Sequence, residues 1–348
     1  MSDKKQVFVL GGTGYVGASV LQKLVKHSQA SQSKFTVLVR SEDKAKKLEA
    51  FVESTGFGNV KVLLGSNADH DRLEAQSAKS DVVFSMADSD NVPAIKAVLA
   101  GMKKRFEQTG KAPILIHTSE TGILMDKAEG HFESQTVYED TNIEQIEALP
   151  DTQLHRDVDL VVTAAGKQGY VKTYIVLPTQ IFGLGSGPLF DAGIAHRHSI
   201  VVPFLIRTSL ARGAAGVVNE GLAKWACVHI DDTANLFIVV YDAALSGEGA
   251  HGREGYYYAE NGEYKWYDLS KAVADALVAL VKTDKAGPTL FTKEEGEKLG
   301  FFFSVLGTNA RCSAKRSRAL GWKAAHAGDE ILKSVKPEME AILQAGNL

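Results

Sequence analysis

The first half of the chain alternates short apolar runs of strand length with longer stretches in which apolar residues recur every three or four positions. Such alternation is typical of βαβ units, which cross over with a right hand and leave their strands parallel. The runs are apolar on both faces, as strands covered on both sides of a sheet must be. The pattern predicts an α/β fold with a doubly wound parallel sheet. The predicted strands are residues 7–10, 35–39, 60–64, 81–86, 113–117 and 171–177, and the predicted helices are 69–78, 91–109 and 155–167, after a first helix near Val16.

One junction is distinctive, because the first predicted strand runs into glycines and a helix begins at once. Gly11, Gly14 and Gly17 are spaced G-x-x-G-x-x-G. Glycine is needed where a turn takes positive φ, where the backbone touches a pyrophosphate, and where a helix packs closely on a strand. The phosphates would meet free N–H groups at the helix N-terminus. A tight turn without a ligand is the alternative, but the spacing in this context predicts a dinucleotide site in a Rossmann-type domain.

The clean alternation stops at the glycine-rich segment 183–187. We therefore expect residues 1–183 to form the dinucleotide-binding domain. Residues 184–348 would form a smaller, mixed α/β substrate lobe, with some of its elements returning to the Rossmann core. The elements predicted there are helices at 231–244, 266–282 and 329–345 and a short strand at 256–259.

The end of the second predicted strand indicates which dinucleotide is bound. In dinucleotide folds an acidic residue there binds the adenosine ribose, whereas a basic one faces a 2′-phosphate. Here the strand runs into Arg40 and Ser41, with Lys44 close behind. This favours NADP(H) over NAD(H), the alternative being an ordinary solvated arginine at a strand end.

Composition excludes several classes of protein. The 348 residues are 45% hydrophobic with a formal net charge of -3, which gives no sign of nucleic acid or a membrane surface as partner. No apolar run reaches the roughly 18 residues of a membrane span, and the charged first five residues lack a secretory hydrophobic segment. Cys227 and Cys312 have no ligand-like spacing, so we expect no metal site. A reduced, cytoplasmic protein is the expectation.

Several further motifs, in their order along the chain, resemble the extended short-chain dehydrogenase/reductase superfamily in its NAD-dependent epimerase/dehydratase branch. The resemblance covers nearly the whole chain and places Ser119 on the family's catalytic serine. It also places 178–183 on a motif that lies near the nicotinamide. The matching segments are the glycine turn, 117–121, the EDTP-like 138–141, the PxxxYG-like 178–183, the VHVDD-like 225–232, and Lys315 with 320–322.

One departure from this family affects the expected chemistry. Its YxxxK motif, in which tyrosine moves the proton and lysine lowers the tyrosine pKa, should open the helix after the EDTP-like segment. The flanking motifs put His155 and Asp159 at those two positions. The resemblance therefore implies an atypical member, whose proton relay cannot be the usual one.

His155 and Ser119 are the candidate catalytic residues. A histidine titrates near neutral pH, and Asp159 one helical turn later could orient its ring; a capping or surface histidine is the alternative. Ser119 lies at the carboxyl edge of a parallel strand, where such folds bind ligands; an ordinary strand-end hydroxyl is its alternative. The expected cofactor contacts are Gly11, Thr13, Gly14, Tyr15, Val16, Gly17, Arg40, Ser41, Ala87, Pro178 and Ile181.

Three functions remain open from the sequence. The first is NADPH-dependent reduction of a small carbonyl, imine or enone-like substrate, since sugar oxidation usually relies on the tyrosine–lysine pair. The second is a nucleotide-sugar epimerase or dehydratase, and the third a non-catalytic regulator that senses NADP. We expect a small-molecule substrate and allow for a homodimer.

The substrate-binding residues are left open too. A nucleotide sugar would need cationic side chains for its diphosphate, whereas large aromatic residues would suit an apolar carbonyl compound. The phenylalanines 301–303 are interpreted as core rather than as a substrate wall. The cationic candidates are Arg197, Arg207, Arg212 and Lys224, and the aromatic ones are Trp225, Trp266 and residues 256–258.

Overall fold

The computed structural model describes residues 4–281 and 283–346. The strands are β1 (Lys5–Leu10), β2 (Ser33–Val39), β3 (Val60–Leu64), β4 (Val82–Ser85), β5 (Ile114–Thr118), β6 (Tyr138–Glu139), β7 (Lys172–Pro178), β8 (Gln180–Phe182), β9 (Gly216–Val217), β10 (Lys224–His229), β11 (Tyr256–Ala259), β12 (Glu263–Lys265), β13 (Thr289–Leu290) and β14 (Cys312–Ser313). The helices are α1 (Tyr15–Leu24), α2 (Glu42–Thr55), α3 (His70–Ser77), α4 (Val92–Thr109), α5 (Ile143–Glu147), α6 (Arg156–Lys167), α7 (Pro188–Asp191), α8 (Val201–Arg212), α9 (Ile230–Ser246), α10 (Trp266–Val281), α11 (Lys293–Leu299), α12 (Phe301–Val305), α13 (Lys315–Ala319) and α14 (Glu330–Gln344). Short 3-10 helices span Ala30–Gln32, Thr121–Leu124 and Gly252–Glu254.

The central sheet has seven parallel strands in the order β11-β7-β5-β4-β1-β2-β3. Strand β1 pairs with β2 on one side and β4 on the other, so that Leu10 lies opposite both Leu38 and Ser85. The strand order reverses between β1 and β4, and ligands of open α/β sheets bind at such a reversal. The predicted α/β fold with a doubly wound parallel sheet is confirmed.

Helices cover this sheet because its strands are apolar on both faces. In β1, Val7, Phe8 and Val9 are fully buried. Helix α1 packs against α9, while α4 packs against α3 and α6. Within the described ranges, no helix is both long and apolar enough to cross a membrane.

Elements from the second half of the chain contribute to the central sheet as well as to a separate layer. Strand β11 pairs with β7 at the sheet edge, and α9 packs against β5 and β7. A smaller sheet, β12-β10-β8, lies beside the main one, and α14 packs against both α8 and α10. The division of the chain at residue 183 stays a prediction.

The predicted elements agree with the structure except at a few boundaries. Helix α6 begins at Arg156 rather than at His155, because His155 has a left-handed φ of 65° and stands as the N-cap. Helix α10 ends at Val281, and the predicted last residue, 282, lies outside the described residues. Helices α2 and α8 are the longest helices without a counterpart among the predicted elements, and the short helices α5, α7 and α11 to α13 have none either. Only two residues of α2 are buried, so its apolar signal is weak.

Candidate active site

The turn between β1 and α1 leaves no room for a side chain at two of the three glycines of the G-x-x-G-x-x-G motif. Gly11 has a φ of 83°, and a Cβ there would lie 2.5 Å from the carbonyl oxygen of Met86. A Cβ at Gly17 would overlap the carbonyl oxygen of Gly11, so the helix lies directly on the turn. Gly14 is less crowded, since the atom nearest its Cβ would be the Gly11 oxygen at 3.2 Å.

The first turn of α1 offers backbone donors to an anion. The first N–H groups of any helix lack partners within the helix. At the N-cap, Gly14 has no side chain to occupy them, and the first turn contains no acidic residue. The helix dipole also favours a negative group there. This cradle, in which Thr13 lies half-buried, fits the pyrophosphate of a dinucleotide.

Arg40 and Ser41 directly follow β2, the neighbour of β1 in the sheet. Both side chains are exposed. The Ser41 hydroxyl accepts a hydrogen bond from the Lys44 N–H at 3.4 Å and caps α2. The Arg40 guanidinium is thus accessible to an anion at the strand end where dinucleotide folds discriminate between ribose and 2′-phosphate.

A cleft of about 580 Å³ opens between the glycine turn and segments from the second half of the chain. It brings together both candidate catalytic residues and part of the predicted cofactor contacts. The remaining candidates, Gly11, Thr13, Gly17, Arg40 and Ser41, belong to the turn and to the end of β2, outside its lining. The candidates that line the cleft are Gly14, Tyr15, Val16, Ala87, Ser119, His155, Pro178 and Ile181.

The His155 ring is held at the cleft wall by Asp90. Its Nδ1 lies 2.6 Å from Asp90 Oδ1 and 3.3 Å from Ser89 Oγ. Its Nε2 is buried, makes no hydrogen bond with a described residue, and lies 3.6 Å from Glu120 Oε2. The expectation that Asp159 orients this ring is wrong. With His155 in the left-handed region ahead of α6, the two side chains do not follow ordinary helical spacing.

Asp159 instead accepts a hydrogen bond from the Ser119 hydroxyl at 2.9 Å. Both residues are fully buried. Burial raises the pKa of Asp159 to about 7, although the hydrogen bond from Ser119 and the charge of Arg156 oppose this rise. Ser119 therefore joins the cleft to a buried carboxyl that exchanges its proton near neutral pH.

His117 lies in the same buried layer, on β5. Neither of its ring nitrogens has a hydrogen-bond partner among the described residues. Burial, followed by the proximity of His155, lowers the pKa of His117 to about 4. His117 is therefore neutral at pH 7. It contributes a packed aromatic ring to the site and no charge.

Tyr15 ties the glycine turn to the segment after β7. Its hydroxyl donates a hydrogen bond to the carbonyl oxygen of Gly183. Burial, with smaller contributions from Glu338 and Asp231, raises the pKa of Tyr15 well above its usual value. Tyr15 is therefore an anchor between the two segments and stays protonated at neutral pH.

The structure adds cleft residues that sequence reasoning missed. The most prominent are the acidic residues Asp88, Asp90 and Glu120. Asp88 and Asp90 follow β4, and Glu120 follows β5. Because ligands bind at the carboxyl ends of parallel strands, this position could have indicated these three residues. The other missed lining residues include Met86, Met125, Leu154, His196, His198, Ile200 and Val201.

The aromatic residues separate into two groups. Phe301 and Phe302, both on α12, line the cleft, so interpreting them as core was wrong. Trp225 also lines it. Trp266 and the tyrosines of β11 are buried in the core and do not line the cleft.

The cationic candidates for a diphosphate lie outside the cleft lining. Arg197 pairs with Asp191 at 2.6 Å, Arg212 with Glu295 at 2.6 Å, and Lys224 with Glu133 at 2.8 Å. None of the lining residues in the described chain is lysine or arginine.

Among the described residues, one group of side chains has metal-ligand chemistry that the sequence did not indicate. Ligand atoms of His229, Asp231 and His326 lie within 4.8 Å of one another. Local contacts already account for this arrangement: His229 Nδ1 accepts from the Asp231 N–H at 3.2 Å, and the two rings stack at 3.7 Å. His326 Nδ1 lies 3.0 Å from Glu330. The group stands outside the cleft lining.

Comparison with known proteins agrees with this geometry. Residues 3–104 match the NmrA-like family. A protein named oxidase ucsJ, from an Acremonium species, is 28% identical in an alignment that covers 98% of this chain and 97% of that protein.

Solved structures share the fold along nearly the whole chain. A dTDP-glucose 4,6-dehydratase from Bacillus anthracis, in complex with NAD, has a TM-score of 0.63 at 13% identity and covers 97% of both chains. A UDP-glucuronic acid 4-epimerase from Bacillus cereus, in complex with UDP-glucuronic acid and NAD, has a TM-score of 0.62 at 12% identity and covers 97% of this chain and 99% of the other. The resemblance is thus confirmed at the level of the fold, which the chain shares with these two enzymes along nearly its whole length, and residues 3–104 match the NmrA-like family.

Proposed function

We propose that this protein is an NADP(H)-dependent oxidoreductase that reduces a small carbonyl, imine or enone-like compound. The observation that carries the proposal is that the glycine turn and the side chains of Ser119 and His155 border the same cleft. A cofactor on the turn and a substrate beside these side chains would share one enclosed space. The accessible Arg40 after β2 supports NADP(H) as the cofactor. The name of the oxidase ucsJ, which aligns over nearly its whole length, supports a redox role.

The chain's own contribution would be to orient the substrate and to manage a proton. When bound, the nicotinamide exchanges a hydride with the substrate. His155 is the nearest candidate to meet the substrate, since Asp90 fixes its Nδ1 and leaves Nε2 without a partner among the described residues. Ser119 and Asp159 form a second proton-holding pair, because a carboxyl with a pKa of about 7 is protonated in many molecules at neutral pH.

Turnover of a panel of ketones, imines and enones with NADPH tests the proposal. We expect oxidation of NADPH, followed at the nicotinamide absorbance, with at least one of these classes. Ser119→Ala and His155→Gln should each lower kcat by about a hundredfold, as loss of a proton-transfer or positioning group commonly does. Tight NADPH binding without turnover of any panel member would contradict the proposal.

The nucleotide-sugar alternative receives less support from the cleft. A diphosphate needs cationic partners, whereas the lining carries carboxylates and no described lysine or arginine. UDP- and dTDP-sugars should therefore fail to raise the melting temperature in the presence of cofactor, because a ligand stabilises only what it binds. A clear increase at millimolar nucleotide sugar would favour the epimerase or dehydratase function.

A non-catalytic NADP-sensing regulator is the second candidate. It is favoured by the replacement of the tyrosine–lysine pair by His155 and Asp159 and by the match of residues 3–104 to the NmrA-like family. This function predicts NADPH binding that is unaffected by Ser119→Ala and accompanied by no turnover. Any turnover that disappears in this variant excludes it.

A further inference from the structure

Two carboxylates flank the His155 imidazole on the cleft wall. Asp90 Oδ1 lies 2.6 Å from Nδ1 and Glu120 Oε2 lies 3.6 Å from Nε2. The side chains of these two acids are 53% and 51% exposed, so a ligand can reach them. The trio keeps a net negative charge even when the imidazole is protonated. Since the cleft lining includes no described lysine or arginine, no neighbouring cation there neutralises it.

Unpartnered polar atoms on the cleft walls are a second, separate sign of a polar ligand. They are His155 Nε2, Thr118 Oγ1 and Ser199 Oγ, each buried and without a hydrogen bond to a described residue. The side chain of His155 is only 5% exposed. A buried polar atom left without a partner costs stability, and in a native protein a catalytic role or an ordered water or ion commonly explains it.

Asp88 also lines the cleft, but it is not one of the two carboxylates that flank His155, which we call the anionic anchor. Its carboxylate accepts hydrogen bonds from the Asp90 N–H at 3.1 Å and from the Asn91 side chain at 3.3 Å. Its oxygens are therefore occupied by the local turn. Glu120 Oε1 likewise accepts a hydrogen bond from the Ser89 hydroxyl at 3.1 Å, so the oxygens without a hydrogen bond to a described residue are Asp90 Oδ2 and Glu120 Oε2.

Other residues of the cleft lining are apolar and aromatic. Ile200 and Phe301 are 66% and 54% exposed beside it, and Phe302 and Trp225 complete this wall. Exposed large apolar side chains around a cleft commonly mark a binding surface. Aromatic faces also attract cations. The cleft thus combines an anionic anchor with an apolar wall.

We propose that the substrate is a cationic nitrogen compound, an iminium ion with an apolar body, whose nitrogen lies beside Asp90 and Glu120. This inference rests on the proposed function. In the reaction, a hydride from the reduced nicotinamide forms a C–H bond at the iminium carbon. The π electrons of the C=N bond become the nitrogen lone pair, and the products are a tertiary amine and the oxidised nicotinamide.

This substrate class also accounts for the replaced tyrosine and lysine. Hydride addition to a carbonyl creates an alkoxide, which needs a proton in the same step. Hydride addition to an iminium ion creates a neutral amine and needs none. A site built for iminium reduction therefore loses nothing when the tyrosine position holds His155, and it gains from carboxylates that stabilise the bound cation.

The experiment compares a permanent cation with a neutral molecule of similar size in the full-length protein. N-methyl dihydroisoquinolinium and the bicyclic ketone tetralone are each incubated with NADPH, with a blank that lacks protein. We expect a higher kcat/KM for the iminium ion. Glu120→Gln should lower that value about fivefold, the worth of one half-exposed charge pair, and should lower kcat/KM for tetralone by less. Glu53→Gln, an exposed residue of α2 outside the cleft, is the matched control and should change neither.

Equilibrium binding provides a readout without turnover. Calorimetry of N-methyl tetrahydroisoquinoline, cationic at neutral pH, with the protein and NADP+ should show binding that Glu120→Gln weakens about fivefold and Glu53→Gln does not. Turnover of tetralone without that of the iminium ion, or equal losses for both substrates in Glu120→Gln, would overturn the inference and leave the proposed function intact. NADPH binding without turnover of either compound or of the wider panel would overturn both.

Discussion

The two sides of the cleft are constructed differently. On the cofactor side, β1, the glycine turn and α1 follow one another directly, and backbone atoms form the surface. On the opposite side, side chains arrive from the loops after β4 and β5, from the start of α6 and from α12. The comparison teaches that the proposed cofactor site is encoded by a local motif. The substrate class depends on residues that only the folded chain brings together.

Different interactions restrict which residues the two sides can accept. At Gly11 and Gly17 the turn is limited by steric contact, since neither position can accept a Cβ without displacing the backbone. Around His155 and Asp159 the limiting term is electrostatic, because ionisable groups are removed from water. Substitutions on the first side should act at every pH, whereas those on the second should act in a pH-dependent way.

Asp159→Asn should have the largest effect. The pKa of Asp159 is about 7 in the folded protein against 3.8 ordinarily, so the folded state binds the extra proton between these values. Stability therefore falls as pH rises from 4 to 7, by about 4 kcal/mol on account of this group. The asparagine variant lacks this loss. Denaturant unfolding at a series of pH values should show the variant gaining on the unaltered protein across this range and levelling off above pH 7.

The lowered pKa of His117 gives the opposite dependence of stability on pH. The unaltered protein therefore has to be compared with the Asp159→Asn variant. Because its pKa is lowered to about 4, its contribution to stability is full above about pH 6.5 and is lost as pH falls toward 4. In the unaltered protein the rise in stability due to His117 and the fall due to Asp159 partly cancel, and Asp159→Asn should uncover the rise. Parallel profiles for the two proteins would contradict the assigned pKa of Asp159.

Gly17→Val should have the second largest effect on the free energy of unfolding. A side chain there would overlap the Gly11 carbonyl oxygen, and overpacking against fixed backbone costs roughly 3 kcal/mol. The loss should be independent of pH, in contrast to Asp159→Asn. Gly287→Val is the matched control, because nothing lies within 4 Å of a Cβ at Gly287. Equal melting temperatures for the Gly17 variant and the unaltered protein would mean that α1 does not rest on the turn.

The sequence predicts the strand, the glycine turn and the helix of the proposed cofactor side well, because each of these signals is local. The strand, the three glycines and the start of α1 are contiguous, and only the end of β2 has to be brought beside them. Ser119 and Asp159 are 40 positions apart, so no spacing rule could reveal that they share a hydrogen bond. The left-handed backbone of His155, which sends its ring to Asp90, is likewise unpredictable from helical periodicity. Phe301 and Phe302 look like core residues because exposure, not composition, distinguishes a substrate wall from packing.

Titration of the unaltered protein with NADPH and NADH tests the central claim most directly. An arginine–phosphate contact is worth about 1.5–3 kcal/mol, so the dissociation constant of NADPH should be roughly tenfold to a hundredfold below that of NADH. Arg40→Ala should remove most of this preference and leave NADH binding unchanged, while Gly14→Val should weaken both cofactors together by crowding the shared pyrophosphate. Equal dissociation constants for NADPH and NADH in the unaltered protein would contradict the account, and Arg40 would then be an ordinary solvated side chain.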